Sequence, residues 1–198
     1  LSRGLGDVYK RQLVDIFCGL EPVDWDEPFG DKDYEVDSAA EYMRSFDDDI
    51  EEIKRTRRSF FGPNVLELCE AADVVFLALH GANGEDGKVQ ATFDLLGIPY
   101  TGTGYLSSAL AMDKSITKQF FRAHHVPTPN GVTLKKGQES EPLSGFGLEL
   151  PVVVKPCCGG SSVGVYIAHT NEEYWQAMKD AFSYEPEVVV EEYIEGRE

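Results

Sequence analysis

Positive charge is scarce in this 198-residue chain: 18 lysines and arginines stand against 35 aspartates and glutamates, a net charge of −17. A surface that binds nucleic acid or anionic membrane by counterion release needs the opposite balance, so the sequence argues against both partners. Long apolar runs are missing too. The longest, Val74 to Leu79 and Pro151 to Val154, have the length of buried strands and fall far short of a membrane-spanning helix. Cysteine is sparse and wrongly spaced for metal. Cys18, Cys69, Cys157 and Cys158 form no C-x-x-C pair, and His80, His124, His125 and His169 complete no zinc pattern. Cys157 and Cys158 could bridge only with strained geometry, and free thiols fit a reducing, cytoplasmic compartment. The first twelve residues lack the apolar core of a secretory leader, and no internal repeat or low-complexity tract occurs. What remains, 42% hydrophobic residues with mean hydropathy −0.28, is enough for a core and one or two domains.

The opening residues 1–12, LSRGLGDVYKRQ, begin without methionine and look more like a translated sequencing adapter than the start of a gene, so a non-native leader is expected there. Between Glu21 and Glu52 the chain carries 14 acidic residues against two basic ones, the larger part of its net charge. Such a stretch reads as a solvated loop and helix face.

Apolar spacing predicts a strand over 13–17, helical turns around Phe46, Ile50 and Ile53, a short helix over 65–71 and a strand over 74–79 covered on both faces. HGANGEDG follows. Val89, Phe93 and Leu96 then recur at helical spacing, with Gly97 as C-cap and a strand over 98–101. Strand, glycine-rich turn, helix and strand in that order predict a βαβ unit in a parallel sheet. Helices are expected over 106–112 and 116–123, the second with Ile116, Phe120 and Ala123 on one face. Beyond Thr128 the pattern predicts strands over 131–134, 151–155, 165–168 and 188–194, and a helix capped by Asn171 with Trp175, Met178 and Phe182 on one face. The expected organisation is an N-terminal α/β domain over 13–112 and an α+β module over 113–198.

Lys155 ends the buried run Val152–Val154, where an ammonium needs a partner. Either it snorkels from a strand end, or its partner is an anion that comes and goes, such as a nucleotide phosphate. Gly159-Gly160-Ser161-Ser162-Val163-Gly164 favours the second reading, because glycines let the backbone approach a ligand while amides and hydroxyls line a phosphate. A plain glycine-rich hairpin is the alternative. The Walker pattern G-x-x-x-x-G-K-[ST] is absent, and Gly102-Thr103-Gly104 does not extend to G-x-G-x-x-G. His80 follows the 74–79 run at the strand end where ligands bind in open parallel sheets, although a loop or capping histidine reads as well. Glu85 and Asp86 precede a helix start and read as dipole partners rather than catalysts. His124 and His125 read as a helix C-terminal pair.

These residues carry a resemblance. VVVKPCCGGSSVGVYIA followed by VVVEEYIEGRE resembles the first part of an ATP-grasp domain, and HGANGEDGKVQATFDLLGIPYTGTGYLSSALAMDK resembles the segment that D-alanyl-D-alanine ligases carry just before it. The similarity runs from Leu13 to Glu198. It implies a parallel-sheet domain followed by the first α+β subdomain of an ATP-grasp fold, truncated at both ends. It also implies an ATP-dependent ligase that joins two D-alanines through an acyl phosphate, with D-alanine–D-lactate or D-alanine–D-serine ligation, or a non-catalytic nucleotide-binding module, as the rival readings.

By that resemblance Lys114, in AMDK, and Lys155 would contact ATP phosphates, and Gly160, Ser161 and Ser162 would form the loop that closes over them. Glu191, Glu192 and Ile194 would line the adenine site, Glu198 would hold ribose hydroxyls, and His80 would orient the substrate carboxylate, with Ser161 beside the reacting phosphate. Magnesium or manganese would be bound by residues beyond Glu198, so no metal ligand is assigned within the chain, and a homodimer is what the family suggests. The chain departs from the family where Cys157-Cys158 replaces a charged pair and where Glu192 replaces a common lysine.

Overall fold

A computed structural model describes residues 10–30, 37, 40–41, 44–45, 50–160 and 163–196. The chain divides into two compact units, 1–75 with 97–99, and 76–96 with 100–198.

In the first unit the helices are α1 (Ile50–Thr56) and α2 (Val65–Ala71). Phe46 lies outside the described residues. Val65, Leu68 and Cys69 form the buried side of α2, as their spacing requires. The strand expected over 13–17 is a turn instead: the Asp15 carboxylate accepts from the amides of Phe17 (2.8 Å) and Cys18 (2.6 Å), and the Gly19 amide closes back onto Asp15 O (2.9 Å). An aspartate that bonds its own following amides offers the backbone a local alternative to a ladder. Arg11, in the suspected leader, exchanges two backbone hydrogen bonds with Gly30 (3.0 and 3.3 Å). Around the turn, Phe17 packs against Phe60, with the Arg57 guanidinium 4.5 Å above the Phe17 ring.

The 74–79 run is extended rather than laddered. Val75 N–H donates to Pro99 O (2.8 Å) within the first unit, and Leu77 N–H to Thr101 Oγ1 (3.2 Å) within the second. The run is not covered on both faces among the described residues: Phe76 is 78% exposed.

The second unit begins with α3 (Lys88–Leu96), α4 (Tyr105–Met112) and α5 (Lys114–Ala123). Val89 and Phe93 are buried whereas Leu96 is exposed, and Gly97 takes φ +71 as the expected C-cap. Next come β1 (Gly131–Lys135), a 3₁₀ turn at Leu143–Phe146, β2 (Val152–Pro156), β3 (Tyr166–Ala168), α6 (Asn171–Tyr184) and β4 (Glu187–Glu192). The four strands form one antiparallel sheet in the order β1-β4-β2-β3.

Strand alternation sorts the side chains. Val152, Val154, Val188, Val190, Leu134 and Ala168 face α6 and pack with Tyr174, Ala177, Met178, Ala181 and Phe182. Each such large apolar side chain contributes roughly 1.5–3 kcal/mol on burial. Trp175 lies outside this face, and Tyr174 takes its place, its hydroxyl donating to Glu141 O (3.1 Å). The cap of α6 is Thr170, not Asn171: Thr170 Oγ1 accepts from Glu173 N (3.2 Å), and the Glu173 carboxylate accepts from His169 N (2.7 Å), a variant of the capping box. β4 ends at Glu192, two residues before the expected limit: Tyr193 N–H still donates in register to Pro151 O (3.2 Å), but Pro151 has no N–H with which to continue the ladder.

The opposite face of the sheet is covered by α5, and the expected apolar stripe is not what turns inward. Ser115, Lys118 and Arg122, at i, i+3 and i+7, face the sheet: Ser115 Oγ pairs with Thr133 Oγ1 (2.9 Å), Lys118 reaches Glu191, and Arg122 donates to Gly131 O (2.8 Å). Phe120 is 48% exposed. Helical periodicity identifies a face, but the sheet beneath α5 carries polar partners and selects the polar one.

Candidate active site

Every described candidate residue lies in the second unit. Lys155 on β2 and Glu191 on β4 are diagonal neighbours on the α5 side of the sheet, since Lys155 pairs with Val189 and Val153 with Glu191. Lys155 Nζ is ion-paired with Glu191 Oε1, while Lys118 Nζ lies 2.6 Å from Glu191 Oε2. Their side chains are 22%, 10% and 8% exposed for Lys155, Lys118 and Glu191. Burial pushes the Glu191 carboxyl upward, but the hydrogen bonds from Lys118 and Lys155 outweigh it and hold the group below the usual glutamate range. Lys118 also donates to Thr128 Oγ1 (3.1 Å) and Pro129 O (2.7 Å).

Lys114 opens α5, whose N-cap Asp113 accepts from Ile116 N (3.0 Å). Its ammonium donates to Cys157 O (3.3 Å) and Gly159 O, and its backbone N–H donates to Cys157 O (3.0 Å). Lys114 therefore grips the start of the glycine-rich connection that leaves β2 after Lys155. Cys158 N–H donates to the Glu185 carboxylate (2.8 Å). At the far end Gly164 takes φ +74, where a Cβ would meet Pro156 Cγ at 2.9 Å and the Tyr184 ring at 3.1 Å, so this position requires glycine. Ser161, Ser162 and Glu198 lie outside the described residues.

Glu192 points away from Glu191, as strand alternation demands, and accepts from Asn130 N–H (2.8 Å). Ile194 is exposed just past β4. His80 is exposed at the start of the HGANGEDG turn. In that turn Glu85 accepts from Gly81 N (2.6 Å), and Asp86 accepts from Asn83 N (3.0 Å), Lys88 N (3.3 Å) and Lys88 Nζ (2.6 Å). The lysine and amide contacts hold the Asp86 carboxyl below its usual range against the opposing effect of burial. Both acids organise the loop and the entry to α3. His124 is the C-cap of α5 and His125 follows at φ +57.

A hollow of about 420 Å³ is lined by the HGANGEDG turn through Gly84 and Glu85, by Thr101, Thr103 and Ser108, and by Gly160 of the glycine-rich connection. Gln90 also borders it: its Nε2 donates to Gly84 O (2.7 Å), while Oε1 is buried without a hydrogen-bond partner among the described residues. Sequence reasoning missed Lys118, Gln90 and Gly131. The signal for Lys118 was its place between Ser115 and Arg122, a polar stripe at helical spacing. Among the described residues no three His, Cys, Asp or Glu side chains cluster to hold a metal ion.

A four-stranded antiparallel sheet with one helix on its core face, a lysine and a glutamate on the other, and a glycine-rich connection between β2 and β3 is the first half of an ATP-grasp module. Models of the D-Ala–D-Ala ligase N-terminus and C-terminus match residues 17–103 and 124–198. The D-alanine–D-alanine ligase of Pediococcus pentosaceus is 40% identical over 198 residues, covering 96% of this chain and 55% of that protein. The crystal structure of the Bacillus anthracis enzyme matches with TM-score 0.63 at 42% identity, over 67% of this chain and 44% of that one; its complex with ATP matches with TM-score 0.59 at 39% identity over the same shares. The VanG D-Ala:D-Ser ligase of Enterococcus faecalis matches with TM-score 0.58 at 39% identity, over 63% and 37%. The chain belongs to the D-alanine–D-alanine ligase family and spans about half the length of the curated relatives it matches.

Proposed function

We propose that the complete protein carrying this chain is an ATP-dependent ligase that joins two D-alanines. ATP would phosphorylate the carboxylate of the first, and the amine of the second would displace phosphate from that acyl phosphate, giving D-alanyl-D-alanine for peptidoglycan synthesis in the cytoplasm. The observation that carries this reading is the single hollow bordered by both Gly84–Glu85 and Gly160: the segment that would orient a carboxylate and the loop that would hold a phosphate meet at one place.

In this reading Lys155 and Lys114 bear on the phosphates, one from the sheet and one from the base of the loop that it grips. Gly160, Ser161 and Ser162 close over them and exclude water from the acyl phosphate. His80 and Ser161 act at the reacting carboxylate and phosphate. Glu191, the backbone at Glu192, and Ile194 face the base, and Glu198 the ribose. Magnesium or manganese, which such chemistry implies, would find its ligands outside this chain, and residues 1–198 alone would be inactive. A leader over 1–12, domains over 13–112 and 113–198, and a homodimer belong to the same reading.

D-alanine-dependent phosphate release from ATP by the complete protein is the test, and phosphate release indifferent to D-alanine would refute it. The similarity to a D-Ala:D-Ser ligase supports a second reading in which the second substrate is D-serine, with D-lactate as a further rival; product analysis with each acceptor separates them. If the complete protein bound ATP but formed no dipeptide or depsipeptide, a non-catalytic nucleotide-binding module would stand instead. Among the described residues no helix is long and apolar enough to cross a membrane.

A further inference from the structure

Two lysines share one buried carboxylate, and their surroundings differ. Lys118 has three acceptors at 2.6–3.1 Å, Glu191 Oε2, Pro129 O and Thr128 Oγ1, which uses all three protons of its ammonium. It has no proton left for a ligand. Lys155 has one ion-pair partner among the described residues, Glu191 Oε1, and is the more exposed of the two. A phosphate arriving beside Lys155 would compete with Glu191 for it. Were Lys155 the only cation on Glu191, giving it up would strand an ionised carboxylate in a site where the side chain is 8% exposed, and that loss would oppose binding.

We propose that Lys118 is a positioning residue for the nucleotide: fixed on Glu191 Oε2, Thr128 and Pro129, it keeps Glu191 paired so that Lys155 can turn from the carboxylate to phosphate. The proposal rests on the reading that Lys155 meets phosphate. Lys118 itself touches no substrate. Its anchors explain why it stays: Thr128 and Pro129 precede β1, and Gly131 across the ladder from Glu191 leaves no side chain to compete for the carboxylate.

The complete protein and its variants Lys118→Met, Lys118→Arg, Lys155→Met and the double variant Lys118→Met/Glu191→Gln are titrated with ATP, and KM for ATP and for D-alanine are measured beside kcat. Lys118→Met is expected to weaken ATP binding roughly tenfold or more, the range for loss of a charged hydrogen bond, with KM for D-alanine unchanged. Lys118→Arg keeps the charge and stays within about threefold, half a decade of affinity. In the double variant Lys155 is released from a neutral amide, so affinity for inorganic triphosphate, titrated in place of ATP because Glu191 also faces the base, recovers most of the loss that Lys118→Met causes with that ligand. A merely structural Lys118 would give no such recovery, because the double variant has lost more of the cluster. Unchanged ATP affinity in Lys118→Met, or a double variant no better than the single one, overturns the proposal while leaving the phosphate role of Lys155 intact. ATP affinity unaffected by Lys155→Met overturns both the proposal and the reading beneath it.

Discussion

Gly131 stands directly across the β1–β4 ladder from Glu191, and a side chain at 131 would occupy the room that Glu191 uses. A Cβ there would lie 2.5 Å from Val190 O and 2.7 Å from Glu191 Cβ. These atoms belong to the central strand and cannot give way. Gly131→Ala is therefore expected to push β1 off β4 and lower stability by roughly 1–3 kcal/mol, the usual cost of overpacking. Urea unfolding of this chain measures it; a variant as stable as wild type would show that β1 can shift freely.

The Lys118–Glu191–Lys155 cluster should respond asymmetrically to substitution. Glu191→Gln leaves two partly buried ammonium groups without a counter-charge and should lose about 3 kcal/mol or more, whereas Lys118→Met/Lys155→Met/Glu191→Leu should fold with stability near wild type. Equal losses in the two proteins, read from urea midpoints, would contradict the account of a costly but mutually compensated cluster.

Acid should act through the same carboxyl. Glu191 is held below the ordinary glutamate value of 4.5, so its contribution is complete above that value and is lost as pH falls through the lower folded one. Asp86, held below 3.8, adds a loss over a still more acidic range. Urea midpoints measured from pH 7 to pH 3 should fall below about pH 4.5, a window set by the ordinary carboxyl range, and the fall should be shallower in Glu191→Gln. Parallel curves for the two proteins would remove Glu191 from the explanation.

The neighbouring thiols should differ in access. Cys157 is buried, and burial pushes its thiol up to about 12, whereas Cys158 is exposed beside the glycine-rich connection. A disulfide reagent at pH 8 should label Cys158 in the folded chain and reach Cys157 only in urea. Mass-spectrometric mapping reads this directly, and labelling of Cys157 ahead of Cys158 under native conditions would be the contrary result.

Cap identity is separable by two alanine variants. Thr170→Ala removes the acceptor for Glu173 N and should lower stability by about 1 kcal/mol, while Asn171→Ala, inside the first turn of α6, should change it by no more than about half that. The reverse order would restore the cap to Asn171.

Much of the second unit was legible because its elements announce themselves locally. The β-branched runs at 152–154 and 188–190, the glycines at 97 and 164, and the acids at 85 and 86 each carry a signal that a few neighbouring residues complete. Where the reading failed, a nearby competitor won: the Asp15 carboxylate captured two amides and made a turn of 13–17, and Thr170 took the cap one residue before Asn171. The candidate site divided in the same way. Lys155 and the glycine-rich connection stand out as a charge after a buried run and a cluster of glycines and serines, but Lys118 is marked only by its place in a polar helical stripe.

By itself the sequence determined the strands and helix of the α+β module, most of its apolar core face, the family resemblance and the absence of a basic surface, because strand alternation, turn glycines and net charge are properties of short stretches or of simple sums. Tertiary structure alone decided which face of α5 turns inward, that Lys118 and Lys155 share Glu191, and that Glu192 serves Asn130 instead. These pairings join residues as far as 73 positions apart, and only the packing of a helix onto a particular sheet register brings such charges within a hydrogen bond of each other and out of water, where their attraction is strong enough to hold.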